Sequence, residues 1–332
     1  MRSVVFSAYG EPADVLTVAE APKAEPGAGA VRIRLTARPV NPSDLLWIRG
    51  RYGRAASFRP GPQGGPPTSL VGFEGTGVVD QAAPDVHLEP GDRVAVSATG
   101  TWQDYLNVPA SEVIAIPGNL PDDLACQMTI NPVTANLLLD DLGLTKGEVL
   151  LQTAAASTVG RMITALARRR GIRCIGLVRR PRPGPKPSDS DTLQVLTDTS
   201  EEARERVAAF AGAQGVAAAI DAVGGATGEL ALSCLRDGGR MIVYGMLSGT
   251  PMPLSPDLLV FHGITVEGFW LPQRLTRLLP EETGELTRRV TDQMTHRHID
   301  APVSEQYDLS DVTTAVIHAE TNPGRGKTLL VS

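Results

Sequence analysis

Residues 148–178 read EVLLQTAAASTVGRMITALARRRGIRCIGLV, and this stretch decides the fold. Residues 148–152 form a short apolar run, which is typical of a strand buried on both faces of a parallel sheet. Residues 159–170 carry apolar side chains at helical spacing, and residues 174–178 are a second apolar run. Strand, helix and strand in this order predict a βαβ unit, the repeating element of a doubly wound parallel sheet.

The same alternation of helix and strand extends on both sides of this stretch. A helix over 122–140, interrupted near Asn131 and Pro132, precedes it. The elements predicted after it are helices over 200–211 and 228–235 and strands over 217–221, 240–244 and 264–269. We therefore predict an α/β domain of the Rossmann type over 119–275.

The sequence before this domain has the pattern of a β-rich fold. Over 30–37, apolar Val31, Ile33 and Leu35 alternate with polar residues, which is the period of a half-buried strand. Short apolar runs at 75–79, 92–96 and 113–116 are separated by Pro and Gly turns. At the C-terminal end we predict helices over 283–294 and 311–319, and an apolar run over 328–331 that returns to the first domain. The predicted β-rich domain therefore covers 1–118 and 276–332.

Composition and charge exclude several classes of protein. The chain has 332 residues and a formal net charge of −6, so we expect no general attraction to nucleic acid or anionic membranes. No run approaches the roughly 20 apolar residues of a membrane span, and the N-terminal residues do not form a secretory signal. The three cysteines are widely separated and predict neither disulfides nor a metal knuckle. We expect a cytoplasmic protein.

The loop between the first strand and helix of the βαβ unit is a candidate nucleotide site. A pyrophosphate at this point would accept hydrogen bonds from the N-terminal backbone of the helix. Small residues replace most of the usual glycines, so Ser157, Thr158, Val159 and Gly160 are the candidate contacts. A tight turn that binds nothing is the alternative.

The end of the second strand favours one of the two nicotinamide cofactors. An NAD enzyme would place Asp or Glu here, against the adenosine ribose hydroxyl. This chain has Arg179 and Arg180, and guanidinium groups pair well with a 2′-phosphate. The sequence therefore favours NADPH, although a solvated basic loop is the simpler interpretation.

A longer series of motifs connects the chain with a known family. The segment Asn41-Pro42-Ser43-Asp44 to Tyr52-Gly53 resembles the NPSD…G.YG segment of mitochondrial-type enoyl thioester reductases, in the medium-chain dehydrogenase/reductase superfamily. Similar motifs follow in the same order over nearly the whole chain: Gly72-Phe73-Glu74-Gly75, Gly100-Thr101-Trp102, Asn131-Pro132-Val133-Thr134-Ala135, Val223-Gly224-Gly225, Tyr244-Gly245-Met246, Gly268-Phe269-Trp270-Leu271 and Gly326-Lys327. The resemblance implies a GroES-like catalytic domain beside the Rossmann cofactor domain.

The resemblance also implies roles for individual residues. It makes Tyr52 the catalytic residue beside the nicotinamide, where its phenol donates a proton or hydrogen-bonds the developing enolate. It places Asn41, Tyr52 and Trp270 at the substrate. At NADPH it places Asn131, Thr134, Tyr244, Gly245, Met246, Phe269, Trp270, Leu271 and Lys327. Simpler interpretations are a packing role for Tyr52 and Trp270, a helix cap or kink at Asn131, and a solvated Lys327.

The resemblance further implies a reaction without zinc. Zinc-dependent relatives have a Cys at the start of the Asn41 segment, a His before the glutamate near Glu74, and a four-Cys lobe, and this chain has none of them. Oxidation of a simple alcohol would lose its Lewis acid, whereas hydride addition to an activated C=C bond needs none. We therefore expect no metal.

Three functions stay open at this point. The first is NADPH-dependent reduction of an enoyl thioester on coenzyme A or on an acyl carrier protein, which would contact Arg49, Arg51, Arg54 and Arg59. The second is a quinone-reductase-like enzyme or enone reductase that acts on a free small molecule, since the Pro- and Gly-rich loop over 55–69 is longer than the family usually has. The third is a nucleotide-binding regulator without catalysis. By resemblance, we expect a homodimer formed through the strand over 264–269.

Overall fold

The computed structural model describes residues 1–60, 65–179, 191–196 and 200–332. These residues form two compact units. The first comprises Met1–Ile130, Thr291–Arg297 and Ala301–Ser332, and the second comprises Asn131–Val290 and His298–Asp300. The main changes between units thus lie at 130/131 and 290/291, whereas the boundaries predicted from the sequence lie at 118/119 and 275/276.

The described strands and helices are numbered in chain order. The strands are β1 (Arg2–Phe6), β2 (Thr17–Glu20), β3 (Ala30–Pro39), β4 (Ser69–Leu70), β5 (Gly75–Ala82), β6 (Arg93–Val96), β7 (Tyr105–Pro109), β8 (Val113–Ala115), β9 (Val149–Gln152), β10 (Arg173–Val178), β11 (Thr192–Leu196), β12 (Val216–Asp221), β13 (Leu235–Val243), β14 (Thr265–Gly268), β15 (Val303–Asp308) and β16 (Lys327–Val331). The helices are α1 (Pro12–Val15), α2 (Pro42–Ile48), α3 (Asp122–Ala125), α4 (Asn131–Leu142), α5 (Thr158–Arg169), α6 (Ser200–Ala211), α7 (Gly225–Ser233), α8 (Pro256–Val260), α9 (Leu271–Leu275), α10 (Pro280–Thr295) and α11 (Val312–Thr321).

The described residues of the β-rich first unit form two sheets. The larger has the order β15-β16-β3-β5-β6-β8, with β7 also paired to β3, and the smaller has the order β2-β1-β4. The alternating Val31, Ile33 and Leu35 of β3 lie in one buried cluster with Val79 and Val94. The apolar C-terminal strand β16 pairs antiparallel with β3, which confirms the predicted return of this segment to the first domain.

One parallel sheet forms the centre of the second unit. In the described residues its order is β11-β10-β9-β12-β13-β14, and each neighbouring pair runs parallel. The strand β9, the helix α5 and the strand β10 are the βαβ unit expected from 148–178. The predicted doubly wound α/β fold is therefore confirmed. None of the helices in the described ranges is long and apolar enough to span a bilayer.

The limits of the predicted helices differ from those observed, most clearly for two of them. The helix predicted over 122–140 is divided into α3 and α4, which confirms the interruption near Asn131 and Pro132, and these two residues begin α4. Proline is tolerated there because the first-turn N–H groups have no partner inside a helix. The helix predicted over 228–235 is α7, which starts at Gly225, and Leu235 already belongs to β13.

Candidate active site

A buried chain of polar side chains lies in the first unit, where three segments meet. Asn41 precedes α2, Glu74 precedes β5, and Lys327 is the first residue of β16. The Asn41 side chain donates from Nδ2 to Glu74 Oε1 at 2.9 Å, and its Oδ1 accepts a short hydrogen bond from Lys327 Nζ. Lys327 is only 8% exposed, so it is not a solvated side chain.

The second carboxylate oxygen of Glu74 is also fully engaged. Glu74 Oε2 accepts hydrogen bonds from Thr129 N at 3.1 Å, Thr129 Oγ1 at 2.9 Å and Ile130 N at 3.0 Å. Burial raises the pKa of Glu74, while the Asn41 hydrogen bond and the Lys327 charge oppose this rise. Because a buried carboxylate needs a counterion, Lys327 is the group that stabilises a charged Glu74.

A second buried acid, Asp44, lies in the first turn of α2. The Asn41 N–H donates to Asp44 Oδ2 at 2.7 Å, and the Asp44 N–H donates to the Asn41 carbonyl oxygen at 3.0 Å. These bonds hold the first turn of α2 to the residue that precedes it. Burial raises the pKa of Asp44 to about 8, and the charge of Glu74 adds to this rise. Asp44 is therefore mostly protonated at neutral pH.

Tyr52 lies in an aromatic cluster near the C-terminal end of α2. Its ring stacks on Phe73 with centroids 5.0 Å apart and an interplanar angle of 27°, and it meets Trp47 edge to face at 6.2 Å. The Arg54 guanidinium lies 5.5 Å from the Trp47 ring centroid and 5.6 Å from that of Phe73. Tyr52 is half-buried against these rings.

The loop before α5 has the shape that a nucleotide site needs. Ser157 caps α5 by accepting a hydrogen bond from Gly160 N at 3.1 Å, and Ala154 has a positive φ of 48°. A methyl group at Gly160 would lie 2.6 Å from the Ala154 carbonyl oxygen, so only glycine fits there. The backbone N–H groups in the first turn of α5, from Thr158 onward, are a potential site for an anion.

A neighbouring carboxylate that the sequence did not point to holds this loop. Asp221 Oδ1 accepts from Thr153 Oγ1 at 2.6 Å and from Val223 N at 2.9 Å, and Oδ2 accepts from Gly224 N at 2.8 Å. Desolvation raises the pKa of the nearby Tyr244 phenol, and the Asp221 charge adds to the rise. Tyr244 therefore stays protonated over the physiological range.

The structure describes one of the two predicted phosphate-binding arginines. Arg179 directly follows β10 and is exposed, at the end of the strand where the sequence placed it. Arg180 lies outside the described residues. An exposed guanidinium at this point is free of burial costs and is compatible with a 2′-phosphate partner.

The other predicted cofactor residues of the second unit lie at the start of α4, after β13, and between β14 and α9. Asn131 and Thr134 are buried in the first turn of α4. Tyr244 and Gly245 follow β13 and are half-buried, while Met246 is 50% exposed. Phe269, Trp270 and Leu271 join β14 to α9.

Phe269 and Trp270 line an open pocket of about 460 Å³ with an unexpectedly charged wall. The charged residues of that wall are Asp141, Arg240, Glu267, Arg274 and Arg277. Arg240 pairs with Glu267 at 2.6 Å and Arg274 with Asp141 at 2.7 Å. These ion pairs connect β13 with β14 and α9 with the end of α4.

Comparison with known proteins gives matches over most of the chain. The alcohol dehydrogenase GroES-like domain matches residues 27–118, and the zinc-binding dehydrogenase family matches residues 158–291. The mitochondrial enoyl-acyl-carrier-protein reductase of Bos taurus is 30% identical over 340 residues, covering 97% of this chain and 86% of the relative.

Two bacterial proteins are among the solved structures that are similar to the chain. One, from Bacillus thuringiensis and named as an NADPH:quinone reductase, has 28% identity and a TM-score of 0.87, covering 100% of this chain and 98% of that chain. A mycobacterial protein solved with NADPH has 26% identity and a TM-score of 0.84, covering 100% of both chains.

The residues around Glu74 do not fit the zinc of the matched family name. Zinc in proteins is held by Cys, His and carboxylate groups. Glu74 is surrounded instead by the Asn41 amide, the Thr129 hydroxyl and two backbone N–H groups, with the Lys327 ammonium bonded to Asn41. Within the described part of the chain, no group of three or more His, Cys, Asp or Glu residues could hold a metal.

Both matched domains lie where the structure has its β-rich and parallel-sheet units. The full-length relative shares almost the whole chain at 30% identity. The chain therefore belongs to the family of the mitochondrial-type enoyl thioester reductases, which are oxidoreductases of the medium-chain dehydrogenase/reductase superfamily.

Proposed function

We propose that this chain uses NADPH to reduce the C=C bond of an α,β-unsaturated thioester, with hydride addition to the β-carbon and protonation of the α-carbon. The observation that carries the proposal is the position of Tyr52, half-buried and stacked on Phe73 at 5.0 Å, in the segment that resembles enoyl thioester reductases. A phenol with a pKa of about 10 in water is a proton donor at neutral pH. Family membership supports the same reaction class.

The second unit would hold the cofactor, and NADPH would supply the hydride. The Ser157-capped N-terminus of α5 offers backbone N–H groups to a pyrophosphate, and the exposed Arg179 offers a guanidinium to the 2′-phosphate. Arg180 is proposed for the same role. The mycobacterial relative that was solved with NADPH supports this choice of cofactor.

The protein groups would then act on the charge that develops in the substrate. As the thioester carbonyl oxygen gains negative charge, the Tyr52 hydroxyl donates a hydrogen bond to it or a proton to the α-carbon. After proton transfer, the phenolate takes a proton from water. Trp47 and Phe73 pack against the Tyr52 ring, and this packing would lower the entropy lost on the way to the transition state.

The acyl carrier would be coenzyme A or an acyl carrier protein, both of which are anionic, and four arginines near Tyr52 in the sequence are candidates to contact it. Of the four arginines that could form a basic patch, Arg49 is neutralised by Glu11 at 2.6 Å and by Glu320 at 2.7 Å. Arg54 is engaged by the aromatic rings and donates to Thr99 Oγ1 at 2.7 Å. Arg51, Arg54 and Arg59 are exposed, so three guanidinium groups are available to an anionic carrier.

A second candidate is the reduction of a free enone or quinone. The structure from Bacillus thuringiensis that is named as an NADPH:quinone reductase supports it. The long loop after Tyr52 also supports it. In the described residues of this loop, Arg59 N donates to Thr68 O at 2.9 Å and Thr68 N donates to Arg59 O at 2.8 Å. A loop closed in this way beside Tyr52 would restrict the size of the substrate.

A comparison of electron acceptors tests the proposal. The loss of NADPH absorbance is measured with crotonyl-CoA, a cyclic enone and a naphthoquinone, and each is repeated with NADH. We expect the highest kcat/KM for crotonyl-CoA with NADPH. Turnover of only the free compounds would select the second candidate, whereas tight NADPH binding without turnover of any acceptor would select a non-catalytic regulator.

A homodimer through β14 is part of the proposal. In the described residues β14 is an edge strand, paired only with β13, and three of its four residues are exposed. Val260 and Phe261, close by in the chain, are 69% and 78% exposed. An open strand edge next to exposed apolar side chains favours pairing with a second copy. A cytoplasmic location stays a prediction, since the curated relatives are named mitochondrial.

A further inference from the structure

Tyr9 contacts the chain on both sides of Tyr52. Its hydroxyl accepts a hydrogen bond from the Ala56 backbone N–H at 2.8 Å. Its ring lies against Gly50, where a methyl group would be 2.9 Å from the ring. Gly50 also has a φ of +66°, so both the backbone and the Tyr9 ring require glycine there. One side chain therefore touches both ends of the segment that carries Tyr52.

Tyr9 is itself held in place by the aromatic core of the first unit. Its ring meets Phe58 at 5.4 Å with an interplanar angle of 81°, and Phe58 meets Phe6 at 5.4 Å with an angle of 77°. Phe6 is completely buried at the end of β1. The backbone of Gly10 adds a hydrogen bond to the Ile48 carbonyl oxygen at 3.2 Å. The Tyr9 ring also meets Phe6 directly at 6.1 Å, so Tyr9 is attached to the core on one side while 44% of the residue stays exposed.

The segment between Gly50 and Phe58, called here the Tyr52 loop, has no regular secondary structure of its own. An irregular segment of this kind depends on side-chain contacts for its position. Inside the loop, Tyr52 stacks on Phe73 and Arg54 packs over the same ring. Beyond Tyr52, the hydrogen bond from Ala56 to Tyr9 ties the backbone of the loop to the first unit.

We infer that Tyr9 is a positioning residue for the reaction, which acts through Tyr52 by holding the Tyr52 loop at Gly50 and Ala56. The inference rests on the proposed function, because the catalytic group that Tyr9 positions is Tyr52. Loss of the Tyr9 hydroxyl releases the Ala56 N–H, and the phenol of Tyr52 then samples orientations outside the reactive one. A small displacement of a catalytic group is enough to lower kcat.

A double-mutant cycle tests this role. The variants are Tyr9→Phe, Tyr52→Phe and both together, with Tyr307→Phe as the matched control, because the Tyr307 hydroxyl makes a 2.9 Å hydrogen bond to His318 in the same unit. With crotonyl-CoA and NADPH, Tyr9→Phe should lower kcat about fivefold, the value of one hydrogen bond, and leave the KM for NADPH unchanged. In the Tyr52→Phe background the same change should cause no further loss. An equal loss in both backgrounds would overturn the inference.

Hydrogen exchange gives a readout that does not depend on turnover. The amide hydrogens of the Tyr52 loop should exchange faster in Tyr9→Phe than in wild type, because this variant frees the Ala56 N–H. Their exchange in Tyr307→Phe should equal that in wild type. Unchanged exchange in Tyr9→Phe contradicts the inference, whatever the rates show. If wild type reduces no acceptor but the exchange rises in Tyr9→Phe, the proposed function fails while the anchoring of the Tyr52 loop stands.

Discussion

The Asn41 Nδ2 atom lies 2.9 Å from Glu74 Oε1, and the other end of the same amide accepts from Lys327. This arrangement connects a buried carboxylate to a buried ammonium through one neutral side chain. It also joins the N-terminal end of α2 to β5 and β16, which are distant in sequence. The position of α2, and of Tyr52 after it, therefore depends on the pairing of the Glu74 and Lys327 charges through Asn41.

Removal of the Lys327 charge should destabilise the fold. Lys327→Met leaves Glu74 without its counterion, and a buried charge that loses its partner costs about 3 kcal/mol in the free energy of unfolding. Urea denaturation measures the change, with Lys146→Met as a control at an exposed lysine. Glu74→Gln added to Lys327→Met should recover part of the loss. A loss of less than about 1 kcal/mol in Lys327→Met would mean that Glu74 is not charged in the folded protein.

The raised pKa of Asp44, at about 8, predicts a pH dependence of stability. Below about pH 4 the carboxyl is protonated in both the folded and the unfolded chain, so its ionisation does not change the free energy of unfolding there. Above that pH only the unfolded chain loses the proton, and this contribution to stability falls by about 1.4 kcal/mol per pH unit until pH 8. Asp44→Asn should therefore gain stability relative to wild type between pH 4 and pH 8.

Urea denaturation at several pH values measures this difference, with Asp14→Asn as the control at an exposed carboxylate. In the Asp44→Asn variant the new amide oxygen can still accept from the Asn41 N–H, so the cap is kept. A constant difference between Asp44→Asn and wild type over this range would show that Asp44 is ionised in the folded protein.

Much of the fold follows from local patterns. The apolar runs and helical spacing of 148–178 predict β9, α5 and β10, because each of these elements buries the side chains that its own period places on one face. The strands β11 and β15 were not predicted. Both contain or adjoin polar residues, such as Gln194 and Glu305, and their pairing with β10 and β16 is decided by contacts distant in sequence.

The positive φ of Ala154 predicts a stabilising substitution. A left-handed backbone costs a residue with a side chain about 1–2 kcal/mol, and glycine avoids this cost at a smaller loss of chain entropy. Ala154→Gly should raise the free energy of unfolding by about 0.5 kcal/mol or more, measured by thermal denaturation. Ala155→Gly, at the next residue of the same loop, should be neutral or destabilising. If both variants lose equal stability, the strain at Ala154 is absent.

The exposed apolar residues before β14 predict the oligomeric state. Wild type should have the mass of a dimer in light scattering, and Phe261→Glu should shift the mass towards a monomer because it places a charge next to the paired strand edges. Ile317→Glu is the control, since Ile317 is an exposed apolar residue of the first unit. A monomer mass for wild type at all concentrations would contradict the proposed dimer.

The candidate site was only partly predictable from the sequence. Resemblance pointed to Asn41, Tyr52 and Lys327, but the resting contact of Lys327 with Asn41 depends on two segments that meet only in the fold. Thr129 and Tyr9 gave no sequence signal, because Thr is a common surface residue and Tyr9 acts on a loop far along the chain. Asp44 belongs to the Asn41-Pro42-Ser43-Asp44 motif, but its burial was not predicted. Glu74 belongs to the Gly72-Phe73-Glu74-Gly75 motif, and it is also a lone carboxylate in the apolar and glycine-rich stretch VGFEGTGVV.

In the proposed reaction, the Tyr52 phenol assists reduction of the enoyl thioester. The most direct measurement is the kcat of Tyr52→Phe with crotonyl-CoA and NADPH, beside Tyr105→Phe as a matched loss of a hydroxyl in the same unit. Removal of a general acid should lower kcat by about 100-fold or more in Tyr52→Phe, while Tyr105→Phe and the NADPH affinity of both variants stay at wild-type values. Wild-type kcat in Tyr52→Phe would contradict the claim.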